Sequence, residues 1–397
     1  EKKFNLFKKL AQINEIDHVF TLEKDGSGTL IDESDHCVHE FKTIETSSNH
    51  IAALLYSSGT TGRPKGIMLS HKNLISNTKT LSEYWEFTNE DVLLHALPIF
   101  HVHGLFVAIG CALYSGASMC WLEKFNVEKI IANLPSCSVL MGVPTYYTRL
   151  LASSEFSEKT CANMRVFISG SAPLLEETFH DFKQLTGHEI LERYGMTETN
   201  MNTSNPISGQ RKPGTVGPPL PGVEVRVVDD NENDLSINEI GNLFVRGPNV
   251  FEGYWKMPEK TEEDFTRDGY FKTGDKAKID DDGYVSIVGR SKDMIISGGL
   301  NVYPKEVELI LDDIEGVYES AVIGVPHQDL GEAVVAVVVK NETSAEITAQ
   351  ILIEKAKKEL AGYKVPKQII FVDALPRNTM SKVQKNVLRD THKLTFT

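Results

Sequence analysis

The residues of this chain best suited to chemistry on an anion lie in residues 54–71, LLYSSGTTGRPKGIMLSH. An apolar run over residues 51–56 enters a segment of small, hydroxylated, glycine and cationic residues, and the apolar spacing from Leu69 onward predicts a helix. That is the layout of a phosphate loop. Glycines let backbone N–H groups turn toward an anion, hydroxyls add donors, and a lysine supplies charge. The Walker A pattern G-x-x-x-x-G-K-[ST] is not met, because Lys65 follows Pro64 and precedes Gly66. A loop that grips an anion without being a Walker A loop is therefore expected here, and the rest of the sequence must say which anion.

Three further clusters carry chemistry. His101 and His103 lie in PIFHVHG, between an expected strand and an expected helix, where open α/β sheets bind ligands; capping the helix is the structural alternative. In FISGSAPLL, residues 167–175, a strand runs into small residues and a proline that starts a helix, an arrangement fit for an anion or a ribose. YGMTET, residues 194–199, gathers an aromatic ring, hydroxyls and a carboxylate at another strand end. His36, His39 and His50 fit no common metal-ligand spacing and read as solvated loop residues.

Positioning these clusters requires a layered sheet. The first fifty residues read as an amphipathic helix around Phe4, Phe7 and Leu10, a short strand at 18–22 and a polar loop. Strands and helices then alternate: helix 71–85, strand 92–97, helix 103–113, strand 119–122, helix 127–132, strand 138–143, helix 145–153, strand 165–169, helix 175–186 and strand 189–193. After Asn205, glycine and proline become frequent and short alternating strands at 223–228 and 241–246 predict a β-rich subdomain. From about residue 293 a complete second set of strands and helices predicts a separate small α+β domain.

Composition limits the function classes. The chain has 397 residues, enough for two or three domains, and its 41% hydrophobic and 24% charged content is that of a globular protein. A net charge of −14 disfavours nucleic acid or an anionic membrane as the main partner, whereas a locally positive pocket can still take a small anion. No apolar stretch is long enough to span a membrane, and the start, EKKFNLFKKLAQ, lacks the apolar core of a signal peptide. Five scattered cysteines fit a reducing compartment, the cytoplasm or, in a eukaryote, the mitochondrial matrix. The chain opens at Glu1 without an initiator methionine, so a fragment or a processed product is expected, and nothing in the sequence sets an oligomeric state.

The motifs taken together resemble the adenylate-forming superfamily of acyl-CoA synthetases, luciferases and peptide-synthetase adenylation domains. They are SSGTTGRPKG (57–66), YGMTET, Thr273-Gly274-Asp275, Gly289 with Arg290, the pair Gly298 and Gly299, and a lysine near the C-terminus. HALPIFHVHGLF (95–106), MGVPTYYTRLL (141–151), ERYGMTETNMNTSNP from Glu192 and LPRNTMSKVQKNVLR (375–389) are similar to its malonyl-CoA synthetases, some of which accept methylmalonate. The resemblance covers essentially the whole chain. It implies an α/β large domain of layered sheets and helices with a β-rich subdomain, plus a small mobile α+β C-terminal domain. The implied boundaries are 1–288 for the large domain, truncated at its start, 289–292 for a hinge, and 293–397 for the lid.

The implied activity is that of an ATP-dependent acid–thiol ligase that makes malonyl-CoA or methylmalonyl-CoA through an acyl-adenylate, with ATP, Mg²⁺ and coenzyme A as its small-molecule partners. The resemblance assigns Ser57, Thr60, Thr61, Gly62 and Lys65 to the ATP phosphates. Ser171, Ala172, Pro173, Glu192, Tyr194, Gly195, Met196 and Thr197 complete the nucleotide site, with Tyr194 able to stack on adenine. Asp275 and Arg290 would bond the ribose and Glu198 would hold Mg²⁺. Lys382, Lys65 and Thr197 are the expected catalytic residues, Lys382 meeting the reacting carboxylate and the α-phosphate. Lys292 would be the hinge, and Ser297, Gly298 and Gly299 would line the coenzyme A channel.

A malonate-type acid keeps a second carboxylate that must not be buried unpaired. Arg149, one helical turn beyond Thr145, is the leading cation for it, with His103 and Ser169 as further contacts. Two departures from the family stand out: most of the region before the phosphate loop is absent, and Ser381 replaces a glycine before the catalytic lysine. A ligase for another short carboxylic acid, or a catalytically impaired nucleotide-binding fragment, are the alternatives.

Overall fold

The computed structural model describes residues 2–23, 25–37, 40–57, 64–298, 300–341, 347–378 and 382–396. Residues 1–47 and 48–397 form two compact units. The first holds helix α1 (Lys2–Ile13), the expected amphipathic helix, and the short α2 (Thr29–Ser34). Residues 18–22, expected as a strand, form none. The Thr21 N–H donates to Thr29 Oγ1 and the Thr21 carbonyl accepts from Leu30, so the segment is tied to the start of α2 rather than to a partner strand.

In the second unit β1 (Ile51–Ser57) and β2 (Lys65–Ser70) pair antiparallel on either side of residues 58–63, with Ser57 opposite Lys65. The expected strand–loop–helix order is thereby corrected. Ile67 and Leu69 are fully buried in a strand, and helix α3 (His71–Tyr84) begins only where Ser70 caps it. Ser70 Oγ accepts the Asn73 N–H while the Asn73 side chain accepts the Ser70 N–H, a capping box that fixes the start of α3.

Alternating elements follow: β3 (Val92–His95), a π-helical segment (His103–Ala108) running into α4 (Ile109–Ser115), β4 (Ser118–Trp121), α5 (Val127–Asn133), β5 (Val139–Gly142), α6 (Pro144–Leu151), β6 (Val166–Ser169), α7 (Glu176–Thr186), β7 (Ile190–Met196) and β8 (Asn200–Ser204). They build a six-stranded sheet of order β4-β3-β5-β6-β7-β8, parallel from β4 to β7 and antiparallel at β8. Successive residues of one strand face opposite cores: Val139, Met141, Val166 and Ile168 pack on one side, Leu140, Phe167 and Ile190 on the other. Asp91 clamps the amino ends of the strands, accepting from Arg165 Nη2 at 3.0 Å and Ser138 Oγ at 2.7 Å, which leaves the carboxyl ends for ligands.

Three expectations are corrected in this region. Residues 103–108 are π-helical, with the Ile109 N–H reaching back to the Gly104 carbonyl. Pro173 does not start a helix; α7 begins three residues later, after Leu175. Residues 194–196 continue β7 rather than leaving it, because an unforeseen partner, β8, extends the pairing.

Strands β9 (Glu224–Val228), β10 (Gly241–Arg246), β12 (Phe271–Ile279) and β13 (Val285–Arg290) form the expected β-rich subdomain as an antiparallel sheet of order β13-β12-β10-β9. The two-residue β11 (Gly253–Tyr254), followed by α8 (Pro258–Asp264), adds to the edge of β2. Residues 289–292, the expected hinge, span the end of β13 and a single 3₁₀ turn (Ser291–Asp293).

Beyond that turn, β14 (Ile295–Ser297), β15 (Leu300–Val302), β16 (Val317–His327), β17 (Gly331–Lys340) and β18 (Gln368–Val372) make a five-stranded sheet. Helices α9 (Pro304–Asp312) and α10 (Ala349–Glu359) cover one face through Val307, Leu311 and Leu352, and α11 (Lys385–His392) covers the other through Leu388. No helix among the described residues is long and apolar enough to cross a membrane.

Candidate active site

The carboxyl ends of β3, β5, β6 and β7 converge on one polar pocket. Following β3, His101 turns its Nδ1 onto the His103 N–H at 3.2 Å, so one of the two motif histidines does cap the π-helical segment. That bond leaves His103 buried, its Nδ1 3.3 Å from Ser171 Oγ and its Nε2 without a hydrogen-bond partner among the described residues. Ser171 holds this contact from a left-handed backbone, φ 70°, which a side-chain-bearing residue adopts only at a cost. Ser169, at the end of β6, is likewise buried with its hydroxyl unpartnered.

The residue that organises these groups is one the motifs did not single out. Arg193, in β7, is 3% exposed, and its Nε and Nη2 have no partner among the described residues. Its guanidinium lies across Gly170, where an added Cβ would stand 2.3 Å from Cζ. Burial pulls Arg193 down to about 9, which still leaves it charged near neutrality. Burial first, and Arg193 second, hold His103 well below its ordinary value, so it is a neutral imidazole. Burial, with Lys382 and Arg193, pulls His101 down to about 4. A buried cation with two idle donors, its charge acting on a neutral imidazole, is able to receive a carboxylate. Left unbonded, each buried donor costs about 1–3 kcal/mol. The signal was present in the sequence: an arginine in the strand run that the apolar pair Ile190–Leu191 opens.

Arg149 sits elsewhere. It is exposed on α6, near the phenol of Tyr146, whose ring stacks on Phe125 at 3.9 Å and whose hydroxyl donates to the Ala96 carbonyl. The charge of Arg193 thus acts on His103, Ser169 ends β6 opposite Glu192, and Arg149 is open to solvent.

The nucleotide residues assemble around the β7–β8 turn. Tyr194 Oη donates to Asp275 Oδ2 at 2.5 Å, and Arg290 Nε holds Asp275 Oδ1 at 2.9 Å, so Tyr194, Asp275 and Arg290 form one bonded line joining the two sheets. Glu198 is buried beside the turn and accepts from Tyr254 Oη at 3.4 Å; burial raises its pKa, opposed by Arg290 and Lys65. Lys65 lies 4.6 Å over the Tyr254 ring and 3.8 Å from Asp264. Thr197 lies in the turn itself, and Ala172 and Pro173 are exposed along the segment after β6. Gly195 is required by close approach, since a Cβ there would stand 1.9 Å from the Asn200 carbonyl oxygen.

Glu192, buried at the base of this wall, is pushed up to about 8 by desolvation, against hydrogen bonds from the Leu174 and Gly214 backbone. Its folded value lies above the ordinary 4.5, so its contribution to stability is full below that value and is lost as the pH rises toward 8. Glu192→Gln is therefore expected to flatten the fall in thermal midpoint between about pH 5.5 and about pH 8, a slope of at most about 1.4 kcal/mol per pH unit. An unchanged slope in the variant would show that another group sets it.

Lys382 reaches this cleft from the small domain. Desolvation lowers its pKa first, and the charges of Arg290, Asp275, Arg193 and Glu198 act on it, while the residue as a whole keeps exposed surface. Ser297 and Gly298 are not brought here. Ser297 pairs with Gly331, and the Gly298 N–H donates to the Leu330 carbonyl within the small sheet. Thr60, Thr61, Gly62, Gly299 and Ser381, and the loop residue His39, lie outside the described residues, as does the side chain of Ser57.

Comparison with known proteins agrees with this geometry. The malonate–CoA ligase of Arabidopsis thaliana is 41% identical over 368 residues, 85% of this chain and 60% of that protein. The mitochondrial malonate–CoA ligase ACSF3 of Bos taurus is 40% identical over 374 residues, 85% of this chain and 64% of that protein. The chain thus spans less than two thirds of the length of these curated relatives. The ATP-bound crystal structure of MatB from Rhodopseudomonas palustris matches with a TM-score of 0.95 at 54% identity, over 98% of this chain and 77% of that one. The apo structure of the same protein matches at 0.82 and 53% identity, over 100% of this chain and 78% of that one. The family model of the AMP-binding enzymes matches residues 3–255 and that of the AMP-binding enzyme C-terminal domain residues 306–382, so the chain belongs to the AMP-binding enzyme family.

Proposed function

We propose that this chain carries the catalytic machinery of an AMP-forming acid–thiol ligase that activates malonate or methylmalonate and passes the acyl group to coenzyme A. The observation that carries the choice of acid is the buried Arg193 guanidinium, with Nε and Nη2 idle among the described residues and its charge acting on the neutral His103. A monocarboxylate would leave it unpaired; a dicarboxylate brings the anion it lacks.

The work divides by residue. Lys65, opposite Ser57 at the foot of the phosphate loop, faces the β- and γ-phosphates, and Tyr194, Asp275 and Arg290 hold the nucleoside. Glu198 is one buried carboxylate among cations, which suits a Mg²⁺ that takes most of its oxygens from phosphates and water; the ion would supply charge neutralisation to the triphosphate. Arg193 anchors the distal carboxylate, so the proximal one is held toward the α-phosphorus. Its oxygen attacks, the bond from the α-phosphorus to the bridging oxygen breaks, and pyrophosphate leaves. Lys382 stands where charge passes from the carboxylate to the phosphoryl oxygens, and stabilises it by position. The thiol sulfur of coenzyme A then attacks the acyl carbon, and AMP departs with the C–O bond electrons.

The match to ATP-bound MatB, higher than that to its apo form, supports reading the present arrangement as the adenylate-forming one. Buried Ser297, at the end of β14, and exposed Gly298 beside it would then reach the acyl group only after the small domain turns about the residues near Lys292, a hinge motion of a known type.

Malonate-dependent ATP–pyrophosphate exchange without coenzyme A, run across a series of mono- and dicarboxylates, tests the reading. Exchange with malonate or methylmalonate above that with acetate, propionate or succinate is expected; preference for a monocarboxylate, or no exchange with any acid, would overturn it. Because Arg149 is exposed, Arg149→Leu is expected to leave the KM for malonate within about threefold of wild type, with kcat unchanged. A larger loss than that from altering Arg193 would return Arg149 to the leading place.

A further inference from the structure

The segment bearing Lys382 is tied to the small domain on both sides. Arg377 before it binds Glu319 of β16, Lys385 after it binds Glu308 of α9 at 2.5 Å, and Arg389 on α11 binds Asp293 at 2.9 Å. The first two pairs end inside the small domain's own sheet and helix. The third ends on the 3₁₀ turn that follows β13, three residues from Arg290.

That placement closes a circuit. Asp275, on β12, holds Arg290 at 2.9 Å, and Arg290 leads through the turn to Asp293. Asp293 holds Arg389, and α11 begins at Lys385, three residues past Lys382. Lys382 lies back over Asp275 and Arg290, whose charges act on it. Asn378 and Lys382 complete the local frame, with the Lys382 N–H on Asn378 Oδ1 at 3.0 Å and the Asn378 N–H on the Lys382 carbonyl at 3.0 Å. A small domain that turns near Lys292 carries Asp293 with it. The Asp293–Arg389 pair is a direct bond between the moving side of that turn and the helix that follows the lysine.

We infer that Asp293 and Arg389 are a positioning pair for the adenylate-forming step: their ion pair makes the turn after β13 and α11 one rigid body, so that closure of the small domain delivers Lys382 to a fixed place over Asp275 and Arg290. The inference rests on the two-step reaction proposed above. It requires the pair to matter in the half-reaction that uses Lys382 and not in the one that follows. Both side chains are partly buried, 18% exposed for Asp293 and 30% for Arg389, enough to shield the pair from full screening by water and salt.

Asp293→Asn and Arg389→Gln keep the shapes and remove the charge attraction. Malonate-dependent pyrophosphate exchange is expected to fall about tenfold in kcat, with the KM values for ATP and malonate within about threefold. Formation of malonyl-CoA from supplied malonyl-adenylate and coenzyme A is expected to stay at the wild-type rate. In a Lys382→Ala background neither substitution should lower exchange further, because the residue being positioned is gone.

A wild-type protein that shows no exchange would refute the ligase reading itself. A wild-type protein that exchanges while both variants match it, lose both half-reactions equally, or lose exchange additively with Lys382→Ala would refute the positioning role and leave the ligase reading standing. Thermal midpoints of the isosteric Asp293→Asn variant within a few degrees of wild type are expected; unfolding of that variant would also refute the role, since it would make the pair a structural one.

Discussion

Lys382→Ala is expected to lower malonate-dependent pyrophosphate exchange about 10²–10³-fold, while thioester formation from preformed malonyl-adenylate stays within about threefold of wild type. The asymmetry follows from where the ammonium lies. It stands among Arg290, Asp275, Arg193 and Glu198, the groups that bound the nucleotide and the acid, and desolvation there lowers its pKa. A cation fixed in that place before reaction needs no reorganisation when charge moves from the carboxylate to the phosphoryl oxygens. The sulfur attack that follows breaks the bond to AMP without adding charge to the triphosphate, so it draws nothing from this lysine. Single-turnover measurements of each half-reaction separate the two effects. Equal losses in both would mean that Lys382 serves the closed structure rather than the first chemical step.

The second large effect concerns Arg193. Arg193→Met is expected to reduce kcat/KM for malonate about 10²–10³-fold, as loss of one partner of a buried charge pair does. Propionate or butyrate should then be activated at least as well as by the unaltered protein. Stability should move the other way. In the unliganded protein the guanidinium is buried with Nε and Nη2 unpartnered among the described residues, and an apolar side chain of similar volume removes that desolvation cost. A thermal midpoint equal to or above that of wild type, together with the selective loss of the dicarboxylate, identifies a receptor for substrate. Selective loss accompanied by a large drop in midpoint would instead make Arg193 a part of the fold.

Much of this was legible in the sequence, and the gaps have physical causes. The parallel sheet announced itself because each strand buries both faces and so reads as a short apolar run between helix patterns; 139–142 and 166–169 fall almost where the pattern puts them. The two- and three-residue strands 253–254, 295–297 and 300–302 were invisible, since periodicity cannot register over so few residues and their pairing depends on distant partners. β2 was missed because a phosphate loop is usually met ahead of a helix, whereas here the sequence on its far side alternates into a hairpin.

At the site, His103 and Ser169 stand at strand ends, where the sequence points to further contacts for the acid. Arg193 was overlooked between Glu192 and Tyr194 because a motif directs attention to its own letters. Arg149 was favoured because a helix N-terminus is an expected place for an anion receptor. Fractional burial is a property of the folded chain, and it reversed the order of the two arginines: one is exposed, the other enclosed.

The π-helical segment at His103–Ala108 bears on how this site tolerates change in length as opposed to change in letter. A π turn holds one more residue than an α turn, and the reach of the Ile109 N–H to Gly104 marks the surplus. Deleting a single residue between 104 and 108 would let the segment relax to the α register, turning what precedes it by roughly 100° relative to α4. His103 would leave the pocket although every neighbouring side chain was kept. For sequence alignment and for grafting, the count of residues between His103 and Gly116 is thus as much a part of the acid-binding site as the imidazole itself.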